Sequence, residues 1–173
     1  TRTSGEQKKT EGGEEDKASR GSNTMVSPLS VLTALEMTRG GAGMDTLRQM
    51  GETIYPGIDP EEGRKELLSW CRQLPDGKGG QMSMANSIWF NNRNEDFVPN
   101  EEFLEKNAKE WKAQIYGAPF DQTTLKDLNG WVDKNTDGMI TNILDEIPEA
   151  AIMYLVNAVA FDGKWEKPYE SYQ

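Results

Sequence analysis

The chain has 173 residues, enough for one sizeable core, and 35% of them are hydrophobic. A formal net charge of −10 and a pI near 4.6 argue against nucleic acid or an anionic membrane surface as the main partner. With no histidine and a single cysteine, no Ser-His-Asp, Cys-His or zinc-histidine site can be contained in these residues, nor an internal disulfide.

Residues 1–22 mix Gly, Glu and Lys, with Ala18 the only conventionally apolar residue. Such a segment buries too little to offset the entropy of ordering, so it is expected to be a disordered polar tail ahead of a domain spanning 23–173. No run of eighteen apolar residues and no signal peptide at Thr1 is present. A cytoplasmic protein and a mature secreted form both fit that pattern.

Order is expected from Asn23. Met25-Val26 is a short strand candidate, and Ser27-Pro28-Leu29-Ser30 reads as a helix start with Ser27 as cap and Pro28 at the first helical position. Leu29, Val31, Leu32, Ala34, Leu35 and Met37 make this helix apolar around much of its circumference, as in a core helix. Gly40-Gly41 ends it, and a short helix from Asp45 carries Leu47, Met50 and Ile54 on one face before Pro56 stops it. Asp59-Pro60-Glu61-Glu62 repeats the capping pattern and opens a helix with Leu67, Leu68, Cys71 and Leu74 inward. Cys71 is expected to be a buried, inert thiol. Arg64, Lys65 and Arg72 alternate with Glu61, Glu62 and Glu66, which reads as a solvated face.

Gln81 to Phe90 is a strong strand with Met82, Met84, Asn86, Ile88 and Phe90 on one face. After a polar loop, Asn100 can cap a helix whose stripe is Phe103, Leu104, Ala108, Trp111 and Ile115. Tyr116 to Asp121 reads as a short extended passage turning at Gly117. Thr124 to Asp127 reads as a capping box opening a helix with Leu125, Leu128, Trp131 and Val132 inward. Met139 to Leu144 is an apolar segment of open conformation, and Pro148 leads into the longest apolar stretch.

Ile152 to Phe161 is uncharged, free of Gly and Pro, and reads as a strand buried on both faces. Met153, Leu155, Asn157, Val159 and Phe161 share one face, with Asn157 its single strongly polar member. A buried amide without partners costs about 1–3 kcal/mol, so Asn157 needs partners elsewhere in the chain.

One metal motif is partly matched. Asp133, Asn135, Asp137 and Gly138 occupy the first, third, fifth and sixth places of an EF-hand loop, and Ile140 the eighth. The twelfth place holds Leu144 where a bidentate Glu is needed, and Glu146 comes two residues late. A calcium-binding module at 133–146 is therefore a remote alternative, and no metal or cofactor is expected.

Taken together, several of these segments resemble the serpins, whose inhibitory members trap serine or cysteine proteases. Asn157-Ala158-Val159 followed by Phe161, Gly163 and Trp165 resembles the third strand of that family's central sheet. Ala85-Asn86-Ser87-Ile88-Trp89-Phe90 resembles the second strand, and Phe120 fits the end of the first. Asn23 with Ser27-Pro28-Leu29-Ser30 resembles the entry to helix B; Asn129, Trp131, Val132, Thr136, Gly138 and Ile140 resemble helix F and its exit. Where the family has Gly-Ala-x-Gly-x-Thr, this chain has Met44 in place of one glycine.

The resemblance implies an α+β, partial serpin fold of prokaryotic type: helices B to F and strands 1, 2 and 3 of the central sheet. Helix A is not supplied by the polar tail, and the C-terminal half with the reactive-centre loop lies beyond Gln173. It also implies a shutter network of Ser27, Ser30 and Asn157, a breach residue Trp165, and structural polar roles for Asn23 and Asn86. None is catalytic, and the chain is not expected to be an enzyme. The implied partners are a serine protease, engaged through the reactive-centre loop, and the rest of the serpin fold. An extracellular or cell-surface location follows from the same resemblance, a cytoplasmic one remaining open. The alternative within the family is a non-inhibitory chaperone or carrier, and the fragment by itself is expected to inhibit nothing.

Overall fold

In the computed structural model, which describes residues 26–74, 80–163 and 167, an antiparallel pair of long strands forms the frame. Strand β1 (Gly80–Asn91) pairs with β3 (Met153–Gly163) from Gly80 opposite Gly163 to Phe90 opposite Met153. Strand β2 (Gln114–Ala118) runs parallel to β1 on its other side, giving the order β2-β1-β3. Among the described residues five helices accompany the sheet: α1 (Pro28–Arg39), α2 (Met44–Ile54), α3 (Pro60–Arg72), α4 (Glu101–Glu110) and α5 (Gln122–Asn135). No helix among the described residues is long and apolar enough to cross a membrane.

Side-chain alternation divides the sheet into two packed faces. On one, Ile88 and Leu155 meet Met37 of α1, Leu68 and Cys71 of α3, Phe103 and Leu104 of α4, and Trp111. On the other, Trp89, Val156 and Ala158 meet Leu128, Trp131 and Val132 of α5. The sheet thus lies between α5 and a layer made by α1, α3 and α4. At about 25 cal/mol per Å² of apolar surface, these two clusters supply the main stabilising term.

Local capping chemistry sets most helix starts. Ser27 caps α1 by accepting the Ser30 N–H at 3.3 Å, with Pro28 at the first position. Asp59 caps α3 by accepting the Glu61 and Glu62 N–H groups at 3.0 Å, and Asn100 caps α4 through Phe103 N–H. In α5 the cap is Asp121, which accepts from Thr123 and Thr124 at 3.0 and 3.2 Å. The expected start at Thr124 is three residues late, because the aspartate ahead of the Thr pair reaches both free N–H groups first.

Other expectations are corrected by packing. The buried positions of α1 are Thr33, Glu36, Met37 and Arg39, whereas Val31 and Leu35 are 50% and 39% exposed. Helix α4 buries Asn107 in place of Ala108, because the Asn107 amide donates to Phe103 O at 3.0 Å and to Met37 O at 3.4 Å, tying α4 to α1. Gly117 lies within β2 and makes no turn; the Phe90 ring stands 2.9 Å from where a Cβ would be, so any larger residue there has to displace that ring. Strand β3 is half-buried along most of its length and Phe161 is 66% exposed. Among the described residues it has a strand neighbour on one side alone. Cys71 is half-buried and packs beside the first core cluster, where burial pushes its thiol pKa up. Val26 has no regular structure; Met25, Asn23, Trp165 and the tail at 1–22 lie outside the described residues.

Candidate functional site

The pleat places Asn86 and Asn157 on the same face and the strand register sets them directly opposite each other. That face is the one covered by α1 and the end of α4. Asn157 Nδ2 donates to Asn86 Oδ1 at 2.8 Å, and Asn86 Nδ2 donates onward to the carbonyl oxygen of Trp111 at 2.8 Å. On the other side of Asn157, the Ser30 hydroxyl donates to its Oδ1. Asn86 is 3% exposed, so these bonds satisfy an amide that would otherwise be stranded.

Of the residues expected at this site, Ser30, Asn157 and Asn86 are brought into one hydrogen-bonded row. Ser27 joins only indirectly, since its hydroxyl oxygen accepts the backbone N–H of Ser30 and thereby fixes the first turn of α1. The row links α1, β3, β1 and the end of α4. It sits on the strand whose outer edge has no strand partner among the described residues. A network built this way can hold one separation of β3 and α1 and be remade in another, because each member keeps donor and acceptor capacity for new partners.

A second polar feature was not foreseen. Glu36, Arg39, Glu61, Arg64 and Glu110 form a continuous chain of alternating charge. Arg39 lies 3.3 Å from Glu36 and 2.9 Å from Glu61, Arg64 lies 2.9 Å from Glu61, and Arg64 also bonds to Glu110. Glu36 and Arg39 are 2% and 6% exposed. Burial raises the Glu36 carboxyl above the usual range despite the neighbouring Arg39 charge. The hydrogen bond from Arg39 holds Glu61 below that range. Burial and the Glu36 charge push the Tyr55 phenol upward. The three-residue spacings of Glu36 with Arg39 and Glu61 with Arg64 were visible in the sequence, but such pairs usually lie in solvent. The chain borders a cavity of about 100 Å³ that is also lined by Lys106, Asn107 and Leu47.

At the partial calcium motif, the polar groups serve the end of α5. Asn135 Nδ2 donates to Trp131 O at 2.7 Å, and the Asp133 carbonyl accepts Gly138 N–H at 2.9 Å. Asp137 and Gly138 take positive φ values of 50° and 79° to make this turn. Among the described residues, no three or more His, Cys, Asp or Glu side chains converge to hold a metal. Asn129 fastens the following segment to α5, donating to Leu144 O at 2.8 Å and accepting from Ile143 and Leu144 N–H at 3.0 and 3.2 Å.

Comparison with known proteins gives a consistent result. The family model described as Serpin (serine protease inhibitor) matches residues 14–173. Serine proteinase inhibitor 2.4 of Apodemus sylvaticus is 32% identical over 156 residues, covering 86% of this chain and 36% of that protein. The thermophilic serpin Tengpin in its latent state is similar in structure at a TM-score of 0.82 and 40% identity, covering 90% of this chain and 42% of the other. Its native state matches at 0.77 and 42% identity, covering 92% and 40%. The chain therefore spans a little over a third of the length of the curated relatives it matches.

Proposed function

The chain belongs to the serpin family, and from that membership we propose that it forms the shutter-bearing part of a serine protease inhibitor that works by suicide-substrate trapping. The observation that carries this reading is the row Ser30, Asn157, Asn86 on an edge strand. In this reading, the protease's own nucleophile attacks a carbonyl of the reactive-centre loop and releases the new amino terminus. The cleaved loop then adds as a strand beside β3 and carries the acylated protease with it. Helix α1 supplies Ser30 as a fixed donor, so strand addition requires β3 to shift against α1 and the Ser30 to Asn157 bond to be remade. Ser27 acts as the cap that aims Ser30, and Trp165 serves at the breach. Asn23 and Asn86 are structural polar residues. The protein is not an enzyme, needs no cofactor, and acts outside the cell.

The test uses a complete serpin that carries this chain. Incubation with trypsin-like, chymotrypsin-like and elastase-like serine proteases is expected to give a complex with at least one that survives denaturing electrophoresis. Cleavage of the loop by all of them without such a complex, and without a gain in thermal stability on cleavage, would assign the non-inhibitory reading instead.

A further inference from the structure

The asparagine row and the ionic chain meet at the same helix end. Trp111, whose carbonyl takes the Asn86 amide, directly follows Glu110, whose carboxylate takes Arg64. From Arg64 the ionic chain runs through Glu61 to Arg39 at the last turn of α1. The first turn of α1 carries Ser30, which holds Asn157. Ser30 and Arg39 are separated by about 14 Å along the helix at 1.5 Å per residue. The contacts thus close into a ring: Asn157, Asn86, the end of α4, α3, the far end of α1, and back through Ser30 to Asn157.

We infer that Arg39, Glu61, Arg64 and Glu110 are positioning residues for the Asn157 amide, fixing the separation of α1 and the α4 terminus that flank it. The inference rests on the shutter reading and deepens it. Asn157 is held on one side by Ser30 of α1 and on the other by Asn86 of β1, whose own amide is held by the Trp111 carbonyl at the end of α4. Between α1 and the end of α4 there is the shared first core cluster, which is non-directional, and one long hydrogen bond of 3.4 Å from the Asn107 amide to Met37 O. Charge-assisted bonds are directional and fix distance as well as contact. Arg39 and Arg64 are largely buried, so salt screens the Arg64–Glu110 pair less than it screens the two bonds to the half-exposed Glu61. Ser30 and Trp111 O are each held within bonding distance of one asparagine. A change in the spacing between the two helices therefore breaks the row at Ser30 or at Asn86.

Hydrogen exchange of β3 in a complete serpin carrying this chain tests the inference, using Glu110→Gln, Asn157→Ala and the double variant. Each single change is expected to speed β3 exchange about tenfold, and the double to be no faster than Asn157→Ala alone, as for residues acting through one another. Should Glu110→Gln impair folding, Glu61→Gln is the substitute, since the Glu61 side chain is 54% exposed; the same pattern is expected. Multiplying accelerations, or no effect of either carboxylate variant on β3, overturns the inference while leaving the shutter reading intact. If the coupling is found but Asn157→Ala leaves inhibition stoichiometry unchanged, the positioning role stands and the shutter reading falls.

Discussion

Asn157 stands directly opposite Asn86 in the β1/β3 register and gives it a side-chain hydrogen bond of 2.8 Å. Removing the Asn157 amide leaves the Ser30 hydroxyl and Asn86 Oδ1 without these partners. Asn157→Ala is therefore expected to lower stability by about 1–3 kcal/mol. In a complete serpin it is expected to favour the latent form or polymers. An unchanged denaturation midpoint, with no polymers on native gels after heating, would contradict both parts.

Met44 offers a gain. It begins α2 with φ at 45°, a left-handed conformation that costs a residue with a Cβ about 1 kcal/mol, and its side chain is 95% exposed. Met44→Gly removes the strain and gives up no packing, and the extra freedom of glycine in the unfolded chain offsets part of the gain, so it is expected to stabilise the fold by about 0.5 kcal/mol in equilibrium denaturation. A midpoint at or below that of the parent would show that the strain is relieved elsewhere.

The position of Met44 also separates what could be read in the sequence from what could not. A missing family glycine was visible, and its reason, a positive φ, is a backbone fact. Ser27, Asp59 and Asn100 were readable because a cap and its N–H partners lie within three residues of each other. The strand faces were readable because alternation is local. Arg64 and Glu110 are 46 residues apart, and nothing near either one signals that the other will bury it. The polar buried side of α1 was hidden for the same reason: apolar residues surround it in sequence, and the sheet together with the neighbouring helices decides which side is covered. That Asn86 and Asn157 would partner each other required the strand register, which neither strand carries alone.

The ionic chain predicts opposite pH effects at its two glutamates. Glu36 has a folded pKa raised above 4.5, mainly by burial, so its contribution to stability is present at low pH and lost as pH rises through that folded value. Glu61 is lowered, chiefly by the Arg39 hydrogen bond, so its contribution is present above 4.5 and lost as pH falls through its folded value. Arg39 keeps Glu61 when Glu36 is neutralised. Glu36→Gln should thus flatten the loss of stability on going from acid to neutral pH, and Glu61→Gln should flatten the loss on acidification. Denaturant midpoints measured from pH 3 to 8 check both; identical profiles for the parent and the two variants would refute the assignment.

Asn129 is the fastening point for the segment after α5. Its amide makes three hydrogen bonds to Ile143 and Leu144, in a stretch without regular structure where Met139 and Ile143 are 53% and 41% exposed. Asn129→Ala is expected to cost about 1–3 kcal/mol and to loosen this segment, whose remaining ties are Leu144 against the second core cluster and the hydrogen bonds between Thr136 and Ile140. Exchange at the Ile143 and Leu144 amides should accelerate more than exchange within α5. Equal acceleration in both would mean that the bond secures the helix and not the segment.

The outer edge of β3 governs how this chain behaves by itself. Among the described residues β3 pairs with β1 alone, so a row of backbone donors and acceptors is available to another strand. Phe161 adds a 66% exposed ring beside that edge. The isolated 173-residue chain is therefore expected to self-associate in a concentration-dependent way. Phe161→Lys should shift it toward monomer, since a charge at an open edge must be desolvated or repelled when a second edge approaches. Sedimentation velocity over a range of concentrations measures the shift. A parent chain that stays monomeric throughout would mean that the edge is already covered. Equal association of the parent and Phe161→Lys would place the contact elsewhere, with the exposed Val31 and Leu35 side of α1 the next surface to change.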